Sequence, residues 1–149
     1  MSNQSFTHVA LAVAKIDASV EFYRRFAAME VVHERTGPTG ARTAWMSDGQ
    51  LPFVLVLFEA GGASLLLRRI ARALSRRLTA PAHLGVACES REQVDLLCAR
   101  ARLERRLRGA PRDAGVVVGY YGMIADPDGY NLEVSFGQMT PTIGEKPAD

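Results

Sequence analysis

Lysine is almost missing from this chain: Lys15 and Lys146 are the only two, and arginine carries nearly all the positive charge. Cysteine is scarce as well, with Cys88 and Cys98 alone and in no CxxC spacing, which excludes a disulfide framework and favours two half-buried thiols in a reducing cytoplasm. No apolar run approaches the length of a membrane span. The first residues, Met1-Ser2-Asn3-Gln4-Ser5-Phe6, lack the basic-then-apolar order of a signal peptide. A formal net charge of +2 gives no electrostatic footprint for nucleic acid or a membrane surface. What remains is a soluble globular composition, 48% hydrophobic and 23% charged over 149 residues, enough for one domain with a real core.

Against that plain background, two segments match. Thr7-His8-Val9-Ala10-Leu11-Ala12-Val13 and Ala82-His83-Leu84-Gly85-Val86-Ala87-Cys88 each open on a histidine. Strand side chains alternate between faces, so His8, Ala10 and Ala12 share one face, as do His83, Gly85 and Ala87. The opposite faces carry Val9, Leu11, Val13 and Leu84, Val86, Cys88. Large residues suit packing on helices, while a small-residue face headed by an imidazole leaves room for a ligand.

The elements that follow repeat too. After the His8 strand, Asp17 is a helix N-cap candidate, and Val20, Tyr23 and Phe26 predict an amphipathic helix over about 18–28. Strands are expected at 30–35, 42–46 and 53–58, separated by Gly37-Pro38-Thr39-Gly40 and Ser47-Asp48-Gly49. In the second half Ser90-Arg91-Glu92-Gln93 is a capping box. It starts a helix with the stripe Val94, Leu97, Cys98 and Ala101, followed by strands at about 104–109, 119–125 and 131–136. The order β-α-β-β-β therefore occurs twice. Module 1 spans about 6–62, a connector about 63–80, module 2 about 81–137 and a mobile tail 138–149. Leu66, Ile70 and Leu74 lie on one face of an Arg-rich connector helix over 64–78, expected to pack on the sheet or on a second subunit.

Asp126-Pro127-Asp128-Gly129 is a tight turn that feeds the last strand and aims Glu133 from its middle. Two imidazoles and one carboxylate suit a divalent ion with open positions. His33 has no counterpart in the repeat and reads as exposed.

The doubled β-α-β-β-β pattern, with His8, His83 and Asp126-Pro127-Asp128-Gly129-Tyr130-Asn131-Leu132-Glu133, resembles the vicinal oxygen chelate superfamily over about residues 6–137. That superfamily includes glyoxalase I, extradiol dioxygenases, fosfomycin-modifying enzymes, methylmalonyl-CoA epimerase and bleomycin-binding resistance proteins. The resemblance implies an α+β fold of two pseudo-symmetric βαβββ modules whose curved sheets form one barrel-like cavity, commonly in a homodimer. It also implies one divalent metal ion (Fe, Mn, Ni or Zn) on His8, His83 and Glu133, and a small-molecule substrate that chelates the ion through adjacent oxygens.

The glyoxalase pattern wants a fourth ligand on the fourth strand. By motif that position falls near Val56, and by raw distance Glu59 is the rival. The dioxygenase pattern wants a tyrosine where Met123 stands and a further histidine. The fosfomycin pattern wants a threonine where Ala10 stands. Val56, Tyr121, Met123 and Trp45 are the expected pocket walls, with Tyr121 a candidate hydrogen-bond donor to the substrate and Arg35 and Arg42 candidate partners for one carboxylate. The alternative is a metal-free protein that sequesters a small molecule, as bleomycin-binding relatives do.

Overall fold

The structure is a computed structural model that describes residues 6–50, 52–59 and 82–139; the Arg-rich connector and nearly all of the tail lie outside the described residues. It is α+β, with the order β-α-β-β-β found twice. Two compact units divide the chain. The first ends before residue 81 and includes Pro127–Gly129; the second holds the rest.

In the first unit, β1 (His8–Val13), α1 (Ile16–Ala27), β2 (Glu30–Thr36), β3 (Arg42–Ser47) and β4 (Val54–Glu59) build an open four-stranded sheet of order β1-β4-β3-β2. β1 runs parallel to β4 and the other pairs are antiparallel. One face carries Leu11, Val13, Ala44, Met46, Leu55 and Leu57, all buried, with α1 packed beside them. The helix begins two residues earlier than the sequence suggests. Asp17 is consequently in its first turn and not the N-cap, a position held by Lys15 without a side-chain cap. The buried stripe is Ile16, Ser19, Phe22, Tyr23, Phe26 and Ala27, with Val20 only half-buried. The early start explains the rotation, because Ile16 joins the stripe and turns the packed face toward Phe22.

Carboxylates from elsewhere complete the start of α1. The Ile16 N–H donates to Glu59 Oε1 at 3.4 Å, and the Ala14 N–H donates to both Asp128 oxygens at 3.1 Å. Negative charge is favourable there because the first amides of a helix have no backbone partner and the helix dipole is positive at that end.

In the second unit, β5 (His83–Ala87), α2 (Arg91–Leu103), β6 (Leu107–Asp113), β7 (Tyr120–Ala125) and β8 (Asn131–Phe136) repeat the arrangement, with order β5-β8-β7-β6 and β5 parallel to β8. The capping box forms: Ser90 Oγ accepts from the Gln93 N–H at 3.3 Å, and Gln93 Oε1 accepts from the Glu89 N–H at 2.7 Å. The predicted stripe Val94, Leu97, Cys98 and Ala101 is the buried one. β6 starts later than the expected 104–109, since α2 continues through Leu103 and Arg105 turns the chain with φ +57°. It then passes through Pro111, which an edge strand tolerates and two register shifts accommodate. β8 is central and buried along nearly its whole length.

The α2–β7 contact is tight. A Cβ added at Gly122 would stand 2.3 Å from Cys98 Sγ, so the helix rests on the sheet only because residue 122 has no side chain. Burial, with smaller contributions from Asp95 and Cys88, pushes the Cys98 thiol up to about 11. Two outcomes are expected. Gly122→Ala should destabilise the protein by about 1–3 kcal/mol, and pairing it with Cys98→Ala should recover part of that loss, giving a non-additive double-mutant cycle by denaturant unfolding. Additive losses would contradict the contact. The folded state disfavours the Cys98 thiolate, so its share of stability is full below the ordinary thiol value of 9.0 and falls as pH rises toward about 11. Stability measured across that window should drop less in Cys98→Ala than in the parent.

Candidate metal centre

The parallel pairing of β5 with β8 sets His83 opposite Asn131 and Gly85 opposite Glu133. One face of the second sheet therefore carries His83, Gly85 and Ala87 beside Asn131, Glu133 and Ser135. The antiparallel pairing of β8 with β7 adds Met123 opposite Glu133 and Tyr121 opposite Ser135. α2 packs on the other face, against the stripe of Ile124, Leu132 and Val134.

On the open face, His83 Nε2 and Glu133 Oε2 stand 3.5 Å apart. The Glu133 side chain is only 6% exposed and that of His83 41%. A carboxylate that deep in a sheet is unfavourable without a compensating charge or hydrogen bonds. Gln138 supplies one, its Nε2 donating to Glu133 Oε1 at 3.5 Å while its Oε1 accepts from Ser135 Oγ at 3.3 Å. Over Gly85 an added Cβ would meet nothing within 4 Å, so the strand beside Glu133 leaves open space at the carboxylate's level.

The spacing and chemistry of these donors suit a divalent ion. Two ligands each about 2.0–2.2 Å from a shared first-row ion stand about 3.0–3.5 Å apart, depending on coordination number. The His83–Glu133 separation matches, and an imidazole nitrogen with a carboxylate oxygen is borderline-hard chemistry that such ions accept. Among the described residues, no three His, Cys, Asp or Glu side chains converge as a complete ligand group.

His8 opens β1 in the first unit, exposed, with its Nδ1 3.0 Å from Thr7 Oγ1. The registers show how the two modules correspond. His8 lies opposite Val54 as His83 lies opposite Asn131, and two residues on, Val56 takes the place that Glu133 takes in the second unit. The first module thus keeps the histidine and has valine in place of the acid. Glu59 pairs with Val13, on the face of Leu55 and Leu57 away from His8, and its carboxylate is engaged by the Ile16 N–H. Trp45 sits opposite Val56 on the His8 face, in tilted contact with the exposed His33 ring at 4.9 Å.

Arg42 is not available to a substrate carboxylate. Its guanidinium grips both Asp17 oxygens at 2.9 and 3.0 Å and also Glu34, which raises its own protonation range and holds the Asp17 carboxyl below the ordinary one. Two residues of the second face escaped the sequence reading. Gln138 fell within the expected tail, and nothing in its immediate neighbourhood marks it. Arg112, whose Nε donates to Tyr121 Oη at 2.7 Å and whose Cζ lies 5.0 Å from the Tyr121 ring centroid, follows Pro111 beyond the expected end of its strand.

Known proteins agree with this architecture. The family described as Glyoxalase/Bleomycin resistance protein/Dioxygenase superfamily matches residues 5–134. Uncharacterized protein PA2024 of Pseudomonas aeruginosa is 36% identical over 137 residues, covering 90% of this chain and 89% of that protein. Among solved structures, the trypanothione-dependent glyoxalase I of Leishmania major superposes with a TM-score of 0.64 at 18% identity, over 91% of this chain and 88% of that one. A mutant of the genomically encoded fosfomycin resistance protein FosX from Listeria monocytogenes, complexed with Mn(II) and 1S,2S-dihydroxypropylphosphonic acid, superposes with a TM-score of 0.64 at 14% identity, over 94% and 96% of the two chains. With a family match over most of its length and the doubled βαβββ order in place, the chain belongs to the Glyoxalase/Bleomycin resistance protein/Dioxygenase superfamily.

Proposed function

We propose that this protein is a divalent-metal-dependent enzyme acting on a small molecule that chelates the ion through neighbouring oxygens. The observation that carries the reading is the His83–Glu133 pair: a buried carboxylate and a part-exposed imidazole at the spacing of two ligands to one ion, on the open face of a sheet. In this reading His83 Nε2 and Glu133 Oε2 are two ligands, and His8, the counterpart of His83 in the first module, is the third. Glu59 is engaged at the start of α1, so the ligand set stays at three. The FosX neighbour complexed with Mn(II) and a vicinal dihydroxy compound lends support by likeness of fold.

When bound, the ion supplies Lewis acidity to the chelating oxygens. The chain's own groups do the rest. Gln138 holds the carboxylate by donating to its second oxygen and so orients Oε2. Tyr121 Oη already accepts from Arg112, which leaves its own O–H free to donate to a substrate oxygen. Met123 supplies apolar wall beside Glu133, and Val56 and Trp45 supply it beside His8.

Purified wild-type protein is expected to hold one divalent ion per chain by elemental analysis, with Fe, Mn, Ni and Zn all accepted. His83→Ala and His8→Ala should each lose stoichiometric metal. Full retention by His83→Ala would reject the site, and full retention by His8→Ala alone would remove the third ligand. Gln138→Ala should keep the site but weaken metal affinity about 10–100-fold; an unchanged affinity would show that Gln138 does not orient the carboxylate. Turnover of catechols, of methylglyoxal with glutathione, or of fosfomycin with a thiol by the loaded forms assigns the reaction. Metal-independent binding of a drug-like ligand with no turnover selects a sequestering protein instead.

A further inference from the structure

Arg112 stands out among the cations of the second unit. Arg91 is paired with Asp113 on the α2 side of the sheet and Arg106 with Glu104. Arg112 meets no carboxylate among the described residues; its partner is the phenol of Tyr121, whose Oη receives its Nε and Nη2 N–H groups and whose ring centroid lies 5.0 Å from Cζ. The register places Arg112 opposite Tyr121 and Tyr121 opposite Ser135, on the face that carries Glu133 two residues away.

The hydrogen bonds decide what the guanidinium has left. Arginine has five N–H donors in a fixed plane. Nε and Nη2 point at Tyr121 Oη, so the edge formed by Nη1 and the second Nη2 hydrogen stays free. That edge can hold a carboxylate or phosphonate by two bonds at a time. Two hydrogen bonds to Tyr121 Oη hold the guanidinium in advance, so less side-chain freedom is lost on binding. The first unit's Arg42, by contrast, is already occupied by two carboxylates.

We propose that Arg112, held by Tyr121, recognises an acidic group on the substrate, so that the protein selects small anionic molecules whose chelating oxygens and acid lie at opposite ends. β6 and β8 are two strands apart, about 10 Å at roughly 4.8 Å per strand, and the two-residue offset adds about 7 Å along them, so the Arg112 and Glu133 Cα atoms stand about 12 Å apart, a span that one aromatic ring with its substituents can bridge between an ion and the guanidinium. The chelating end of such a ligand rests on the metal site proposed above; the acidic end does not.

The test uses 3,4-dihydroxybenzoate and its methyl ester, which share the diol and differ in the charge at the far end. Each is titrated calorimetrically into Zn(II)-loaded and metal-free protein. The acid is expected to bind the loaded protein at least about tenfold more tightly than the ester. Arg112→Ala should erase that preference, leaving acid and ester with equal affinity, and Arg112→Lys, which keeps the charge without the planar fork, should retain only part of it. Equal wild-type affinities, a preference that survives in Arg112→Ala, or failure of the acid to bind either form overturns the assignment. Ester affinity that does not change on removing Zn(II) counts against the metal site alone, because the acid-over-ester preference is still read on metal-free protein.

Discussion

A carboxylate set in the middle of a buried central strand is the constraint around which the second module is arranged. Glu133 lies on β8 with neighbours on both sides, and its side chain has almost no access to water. Such a group must be compensated locally, and three features of the sheet bear on it. Parallel pairing brings His83 within 3.5 Å of one oxygen, Gln138 reaches the other, and Gly85 leaves the space beside it empty. The Asp-Pro-Asp-Gly turn holds the strand in place: Asp126 is buried, its N–H and Oδ1 both bond to Tyr130, and Gly129 takes the positive φ of +87° that closes the turn. A slip of one residue in β8 would move Glu133 to the α2 side, beside Ile124, and turn Leu132 and Val134 away from the helix.

Comparing the modules shows which parts of the arrangement are architecture and which are chemistry. Both have a histidine at the head of the first strand, a parallel pairing to the last, and an apolar face under the helix. They differ where the acid stands. Val56 takes the position of Glu133, and two carboxylates of the first compact unit, Glu59 and Asp128, serve the start of α1 instead. The first sheet can therefore offer an imidazole and apolar surface, while the second offers an imidazole, a carboxylate and the Arg112–Tyr121 pair. The fold repeats and the polar chemistry is concentrated in one copy.

Much of this was legible in the sequence. β8 has the expected bounds, because the Asp-Pro-Asp-Gly turn starts it sharply and alternation carries it onward. The capping box at Ser90 and the stripe of α2 were equally plain. The glyoxalase motif puts its fourth-ligand position near Val56, and the strand registers set Val56 where Glu133 stands in the other module. Errors arose where tertiary contacts override local signals. Asp17 has the chemistry of an N-cap, but Arg42 takes its carboxylate and Glu59 reaches the first helical amide from another strand. The third strand of the second half was expected to end near 109, yet an edge strand with bulges carries it through Pro111 to Asp113. Arg112 and Gln138 were overlooked because their partners, Tyr121 and Glu133, adjoin them only through sheet pairing or the chain's turn after β8.

The proposed function stands on a divalent ion shared by His83 and Glu133. Crystals of the protein grown with Mn(II), with data collected at the manganese absorption edge, test it most directly. A single strong anomalous peak is expected about 2.0–2.2 Å from both His83 Nε2 and a Glu133 oxygen. No peak at that position, with the two side chains left in direct contact and manganese bound elsewhere or nowhere, would contradict it.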